Sequence, residues 1–128
     1  WIALHDATIQ NGCLFYLPKS HKLAKYENDV RIGEKMDDLF ELYPEFRHID
    51  PVAAEMKAGD AGFHNGLMAH AAGANMTNNT RAAMTCAFMP DGSTYNGQQN
   101  ILSESYVAKL KIGDLLNDSS INPIVGDL

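Results

Sequence analysis

The sequence is poor in cysteine, in basic residues and in long apolar runs, and each shortage excludes a class of protein. Its two cysteines, Cys13 and Cys86, are far apart and show no C-x-x-C spacing, so neither a disulfide framework nor a thiolate zinc cluster is expected. They read as buried, reduced thiols of a cytoplasmic protein. Neither has a basic neighbour in sequence to favour its thiolate, which leaves nucleophilic thiol chemistry without support. The 10 Lys and Arg are outnumbered by 16 Asp and Glu, giving a net charge of −6. A nucleic-acid groove or an anionic membrane surface rewards clustered Lys and Arg, so no nucleic-acid or membrane partner is expected and a small-molecule substrate fits better. No stretch reaches the roughly 20 apolar residues of a membrane span, and Trp1-Ile2-Ala3-Leu4 runs at once into His5-Asp6, unlike a signal peptide. A Ser-His-Asp set and a phosphate-cradling glycine loop are also missing.

What remains is ordinary globular composition, with 45% hydrophobic and 20% charged residues over 128 positions, enough for one domain spanning 1–128. Short apolar runs at 1–4 and 12–17 flank Asn11-Gly12 and predict two strands joined by a turn. An acid-rich segment follows, in which Met36, Leu39, Phe40 and Tyr43 recur at helical spacing until Pro44, predicting a helix near 34–43. Residues 52–58 and 61–70 flank the turn dipeptide Gly59-Asp60, and 81–89 alternates Arg81, Ala83, Thr85, Ala87 and Met89 against Ala82, Met84, Cys86 and Phe88. These read as strands. Past the Pro90-Asp91-Gly92 turn, a helix is expected over 103–112 with Tyr106, Val107 and Leu110 inward and Gly113 ending it, before an irregular tail from Asn117.

The chemistry concentrates in Gly59-Asp60-Ala61-Gly62-Phe63-His64-Asn65-Gly66-Leu67-Met68-Ala69-His70, followed across a Gly/Asn-rich loop by Arg81. Six residues of extended strand place His64 and His70 on one face but about 20 Å apart at roughly 3.3 Å per residue, too far to share a metal. His64 then reads as a packed or hydrogen-bonded strand histidine outside the centre. A hairpin across 71–80 would set Arg81 beside the end of the His70 strand, where its planar fork suits a carboxylate. A two-histidine, one-carboxylate iron site needs a His-x-Asp or His-x-Glu besides His70. His48-Ile49-Asp50 has that form, although it stands in a turn-like setting before Pro51. His5-Asp6 is weaker, because adjacent strand residues point to opposite faces. His21 sits where a strand exits after Leu17-Pro18-Lys19-Ser20, as a surface histidine or one lining a pocket mouth.

Taken together, Trp1-Ile2-Ala3-Leu4 with Asn11-Gly12-Cys13-Leu14, Leu17-Pro18-Lys19-Ser20-His21, Gly59-Asp60 with Phe63-His64 and His70, and Gly73-x-Asn75 followed by Arg81 resemble the C-terminal half of the phytanoyl-CoA dioxygenase family of Fe(II)/2-oxoglutarate oxygenases. The resemblance covers most of the chain. It implies a mainly β architecture, an incomplete double-stranded β-helix of jelly-roll type with short helical excursions. It implies that His70 is the distal iron ligand, that Arg81 pairs with the C5 carboxylate of 2-oxoglutarate, and that Trp1 packs against this cosubstrate. Lys19 stands where the family has Gly, and Ala72 where many members have a serine that helps hold 2-oxoglutarate.

In the family the His-x-Asp precedes the Trp-x-Ala-Leu strand, whereas His48-Ile49-Asp50 follows it. The expectation is therefore half of an oxygenase site, with the chain alone inactive and no catalytic residue assigned within it. A homo-oligomer is expected to cover the open sheet edges. The alternatives are a non-enzymatic jelly-roll binding or scaffold module, and a rearranged metal site built from His48, Asp50 and His70.

Overall fold

The computed structural model describes residues 1–26 and 37–126. Two compact units divide the chain, Trp1–Cys86 and Ala87–Leu128. Among the described residues the first contains five short strands: β1 (Ile2–Ala3), β2 (Leu14–Tyr16), β3 (Val52–Ala54), β4 (His70–Ala72) and β5 (Ala83–Met84). They form two antiparallel sheets, one ordered β3-β2-β4 and the other pairing β1 with β5.

The expected pairing of 1–4 with 12–17 does not form, because both edges of the first segment are already engaged. On one side Ala3 donates to Asp60 O at 3.0 Å, and on the other Leu4 donates to Ala82 O at 3.1 Å. Isolated bridges Ile2↔Ala61 and Ala7↔Met56 extend the first of these contacts. The turn before β2 is closed locally instead: Cys13 N–H reaches Thr8 O at 2.9 Å, and the Asn11 side chain accepts from Thr8 N at 2.7 Å. That loop delivers β2 to the other sheet.

The runs expected as long strands pair only in part. Of 61–70, Ala61 sits in a bridge and His70 in β4, while the residues between them turn. Met68 N–H bonds Asn65 O at 2.9 Å, and Asn65 Oδ1 accepts from Leu67 N at 2.8 Å. An Asn side chain that satisfies backbone donors locally draws the chain out of the extended state despite its apolar residues. Of 81–89 only Ala83–Met84 is strand, and Cys86 is exposed, not buried as expected, while Cys13 is fully buried. The turn at Gly59-Asp60 forms, with Asp60 N–H on Lys57 O at 3.0 Å.

A small core closes one end of this unit. Helix α1 (Asp37–Leu42) occupies the described part of the expected 34–43 helix; residues 34–36 lie outside the described residues. Pro44, which has no N–H to continue the helix, opens a 3₁₀ turn over Pro44–His48. That turn drives Phe46 to full burial against Tyr43, ring centroids 4.7 Å apart, with Leu17 completing the cluster. Burying such a phenylalanine contributes about 2–3 kcal/mol. The cluster anchors the chain leaving β2, and Ala69, the residue before β4, packs against it.

In the second unit, helix α2 (Glu104–Val107) is shorter than the expected 103–112. Its last bonds tighten from Ala108 N→Glu104 O to Lys109 N→Tyr106 O and Leu110 N→Val107 O, and Gly113 N–H is taken by Tyr95 O at 2.8 Å. The chain thereby leaves the helix for the Thr94↔Leu115 bridge. Tyr106 is buried and Val107 and Leu110 half-buried, as the spacing predicts, and 117–126 is irregular. Among the described residues no helix is long and apolar enough to cross a membrane.

Candidate metal and cosubstrate site

The register of β2 on β4 sets Tyr16 directly opposite His70. Directly paired residues project to the same face of a sheet, and the two rings stack with centroids 5.7 Å apart and planes at 29°. The approach to His70 is clamped by Ser20, which is fully buried: its hydroxyl accepts from Ala69 N at 2.9 Å and lies 3.4 Å from Met68 Sδ. The Leu17-Pro18-Lys19-Ser20-His21 segment therefore holds the strand that carries His70. Lys19 sits at φ 66°, in the left-handed region that a glycine would occupy without strain. The His70 ring is fixed in turn by its own Nδ1, 2.8 Å from Met68 O. A carbonyl only accepts, so Nδ1 carries the proton and Nε2 keeps its lone pair.

His64 is not 20 Å from His70. The turn at 65–68 folds the intervening residues back, and the two imidazole centroids lie 4.4 Å apart. His64 is hydrogen-bonded, as expected, but from a loop and to an unforeseen partner: its Nδ1 is 3.2 Å from the Tyr16 hydroxyl, with the rings edge to face at 5.3 Å. Burial, then the neighbouring charges of His70 and the chain's first nitrogen, hold the His64 imidazolium below its ordinary pKa. Burial likewise raises the Tyr16 phenol. Tyr16 was read from the sequence only as one of an apolar strand run; its place two residues after Leu14, on the inward face, was the available signal.

Arg81 does not lie across a hairpin from His70, since β4 and β5 belong to different sheets. It reaches the other sheet through its side chain. The β1–β5 register puts Arg81 on the face shared by Trp1 and Ala3, and its guanidinium carbon stands 5.4 Å from the Trp1 ring centroid. One Nη donates to Gly12 O at 2.8 Å, just before β2. Its Nε is buried and has no hydrogen-bond partner among the described residues. Gly62 stands between the two ends. Trp1 and Gly62 exchange backbone hydrogen bonds of 2.8 and 3.0 Å, and a Cβ built on Gly62 would lie 3.9 Å from the Tyr16 hydroxyl, which meets His64.

The other sequence candidates stand elsewhere or are otherwise engaged. His48 ends the 3₁₀ turn and, like Asp50, is exposed. Among the described residues no group of three or more His, Cys, Asp and Glu side chains is arranged to hold a metal, so the rearranged site of His48, Asp50 and His70 is not assembled. His5 Nδ1 lies 2.9 Å from Thr80 O, and Asp6 pairs with Lys57 at 2.9 Å while accepting from Ala58 N. His21 is half-buried, with an Nδ1 that finds no partner among the described residues.

Comparison with known proteins gives this arrangement a context. The family model described as Phytanoyl-CoA dioxygenase (PhyH) matches residues 1–83. The chain belongs to the phytanoyl-CoA dioxygenase family. It is 35% identical to a phytanoyl-CoA dioxygenase of Arabidopsis thaliana over 83 residues, covering 65% of this chain and 29% of that protein. Against a phytanoyl-CoA dioxygenase domain-containing protein 1 homolog of Caenorhabditis elegans it is 30% identical over 125 residues, 92% of this chain and 42% of the relative. Among solved structures it superposes on the non-heme alpha ketoglutarate dependent carbocyclase SnoK from nogalamycin biosynthesis with a TM-score of 0.75 and 29% identity, covering 91% of this chain and 44% of that one. The chain thus spans less than half the length of each of these relatives. The part matched to the phytanoyl-CoA dioxygenase family contains Trp1, Tyr16, His64, His70 and Arg81.

Proposed function

We propose that this chain carries part of the active site of an Fe(II)/2-oxoglutarate-dependent oxygenase that hydroxylates a small molecule, on a double-stranded β-helix to which the two small sheets belong. Arg81 carries the reading. It is a guanidinium held on a tryptophan face and a backbone carbonyl, with an Nε that is buried and has no partner among the described residues, in the same compact unit as the His70 imidazole. A planar carboxylate is the group that satisfies such a fork.

The residues present fit one metal ligand and one cosubstrate anchor. His70 would hold the metal through Nε2, its orientation set by the Met68 carbonyl behind it, the usual outer-shell arrangement of a ligating histidine. Arg81 would take the far carboxylate of 2-oxoglutarate, and Trp1 would shield that pair from water, which strengthens a charged contact. When bound, the iron and 2-oxoglutarate supply the oxygen activation that hydroxylation of an unactivated C–H bond requires, and the protein supplies placement. The described residues do not complete a two-histidine, one-carboxylate set. The 128-residue chain by itself is accordingly expected not to turn over 2-oxoglutarate.

Trp1 is the sole tryptophan, so its fluorescence reports on the anchor directly. Titration with 2-oxoglutarate should give saturable quenching, and Arg81→Gln should weaken binding at least about tenfold, the loss expected when a charge-assisted bidentate contact is removed. Quenching that does not saturate, or that is the same in Arg81→Gln, would overturn the assignment.

A further inference from the structure

The turn that folds His64 back onto His70 is built on Asn65, and Asn65 is followed by Gly66. We infer that Asn65 is a site of spontaneous deamidation in the folded chain, and that its isoaspartyl product opens this turn and withdraws His64 from Tyr16 and His70. The site stands on Asn65 and Gly66 alone and does not depend on what His70 binds.

The chemistry requires only water. The Gly66 backbone nitrogen attacks Asn65 Cγ and gives up its proton, the side-chain amide leaves as ammonia, and a cyclic succinimide closes. Water then opens the ring at either carbonyl, giving aspartate or isoaspartate, so that an amide is exchanged for a carboxylate. Glycine is the favourable following residue, because without a Cβ it neither shields its nitrogen nor restricts the backbone rotation that the attack needs.

Three Asn-Gly pairs occur, at 11–12, 65–66 and 96–97, and the structure separates them. Asn11 is held at both side-chain atoms: its Oδ1 accepts from Thr8 N at 2.7 Å and its Nδ2 donates to Asp6 O at 2.7 Å. Gly12 is also buried, packed against the Gly73 carbonyl. Asn96 is exposed, but Gly97 is fixed at φ 92°, with the Ile112 side chain 3.1 Å from where a Cβ would stand. Asn65 and Gly66 are both exposed, and nothing lies within 4 Å of a Cβ built on Gly66. Among the described residues the Asn65 side chain makes one hydrogen bond, from Leu67 N at 2.8 Å.

The two products act differently on the turn. Aspartate keeps an oxygen for Leu67 N–H and leaves the main chain unchanged. Isoaspartate routes the main chain through Cγ, which lengthens it by a carbon, and turns the Asn65 carbonyl that accepts from Met68 N at 2.9 Å into a free carboxylate. Both acceptors of the turn thereby leave their positions, and with them goes the fold-back that sets the His64 and His70 centroids 4.4 Å apart.

The test incubates the wild-type 128-residue chain in mildly alkaline ¹⁸O-labelled water, then digests it with trypsin in ordinary water. Cleavage leaves the three pairs on separate peptides, 1–19, 58–81 and 82–109. Label should enter at Asn65 about tenfold or more faster than at Asn11, the ratio expected when two side-chain hydrogen bonds must open first, and faster than at Asn96. In urea the three rates should converge, because the difference lies in the fold. Equal rates at Asn65 and Asn11 in the folded chain, or a faster Asn96, would overturn the site. The nuclear Overhauser contact between the His64 and His70 rings should vanish in the purified isoaspartyl chain and persist in Asn65→Asp. A contact that survives in the isoaspartyl chain, or is lost equally in Asn65→Asp, would overturn the opening of the turn. The labelling rates are read on the wild-type chain and do not depend on whether the variant folds.

Discussion

Replacing Gly12 by alanine should cost far more than the same change at Gly59, and the difference measures how closely the turn before β2 approaches the loop after β4. Both glycines have a left-handed backbone, φ 87° and 95°. A non-glycine residue there costs roughly 1–2 kcal/mol. A Cβ on Gly59 meets nothing within 4 Å, so Gly59→Ala should lose only that amount. On Gly12 the new Cβ would lie 2.6 Å from the Gly73 carbonyl oxygen, with Ala74 and Asn75 backbone atoms at 3.5 Å, so backbone must move. Overpacking of this kind adds about 1–3 kcal/mol. With a urea m-value of about 2 kcal/mol/M, Gly59→Ala should lower the unfolding midpoint by about 0.5–1 M and Gly12→Ala by about 1–2.5 M. Because Gly12 O also accepts from Arg81, Gly12→Ala should weaken 2-oxoglutarate binding, whereas Gly59→Ala should not. Equal midpoints for the two variants would refute the close approach of Gly12 to the loop after β4.

Lys19→Gly should raise the melting temperature, because φ 66° is strained for lysine and free for glycine, a gain of roughly 1 kcal/mol before the entropy cost of glycine; a lower melting temperature would contradict the left-handed turn. Asp6 is held below its ordinary carboxylate pKa by its hydrogen bond with Lys57 and then by Ala58 N–H, so its contribution to stability is present above the usual value of 3.8 and is lost as pH falls through the lowered one. Melting curves of wild type and Asp6→Asn should therefore differ at neutral pH and converge in acid, and a constant gap would contradict the pairing. As a proposal still to be tested, a second copy covers the open strand edges, which predicts a dimer or larger assembly by light scattering; a monodisperse monomer would count against it.

The sequence was most legible where a local rule decides the outcome. Pro44 stopped α1, Gly59-Asp60 turned, and Tyr106 went inward. It was least legible where a side chain competes with the backbone. Asn65 turned an apolar run that periodicity reads as strand, and with it the distance between His64 and His70 changed from about 20 Å, at roughly 3.3 Å per extended residue, to 4.4 Å. Pairing partners were equally hidden. Nothing in Trp1–Leu4 says that 82–84 and 56–61 will occupy its edges before 12–17 can, because strand partners are chosen by tertiary packing. Tyr16 became part of the site only through its register with His70.

The central claim is that His70 and Arg81 serve one bound pair, a metal and its 2-oxoglutarate. Ni²⁺, which favours the same donors and performs no turnover, tests this by linkage: its affinity for the chain is measured with and without 2-oxoglutarate, in wild type and in Arg81→Gln. The account predicts that 2-oxoglutarate tightens Ni²⁺ binding about tenfold or more in wild type, and that this gain disappears in Arg81→Gln while affinity for Ni²⁺ alone is unchanged. Ni²⁺ affinity indifferent to 2-oxoglutarate, or a gain that survives the loss of Arg81, would contradict it.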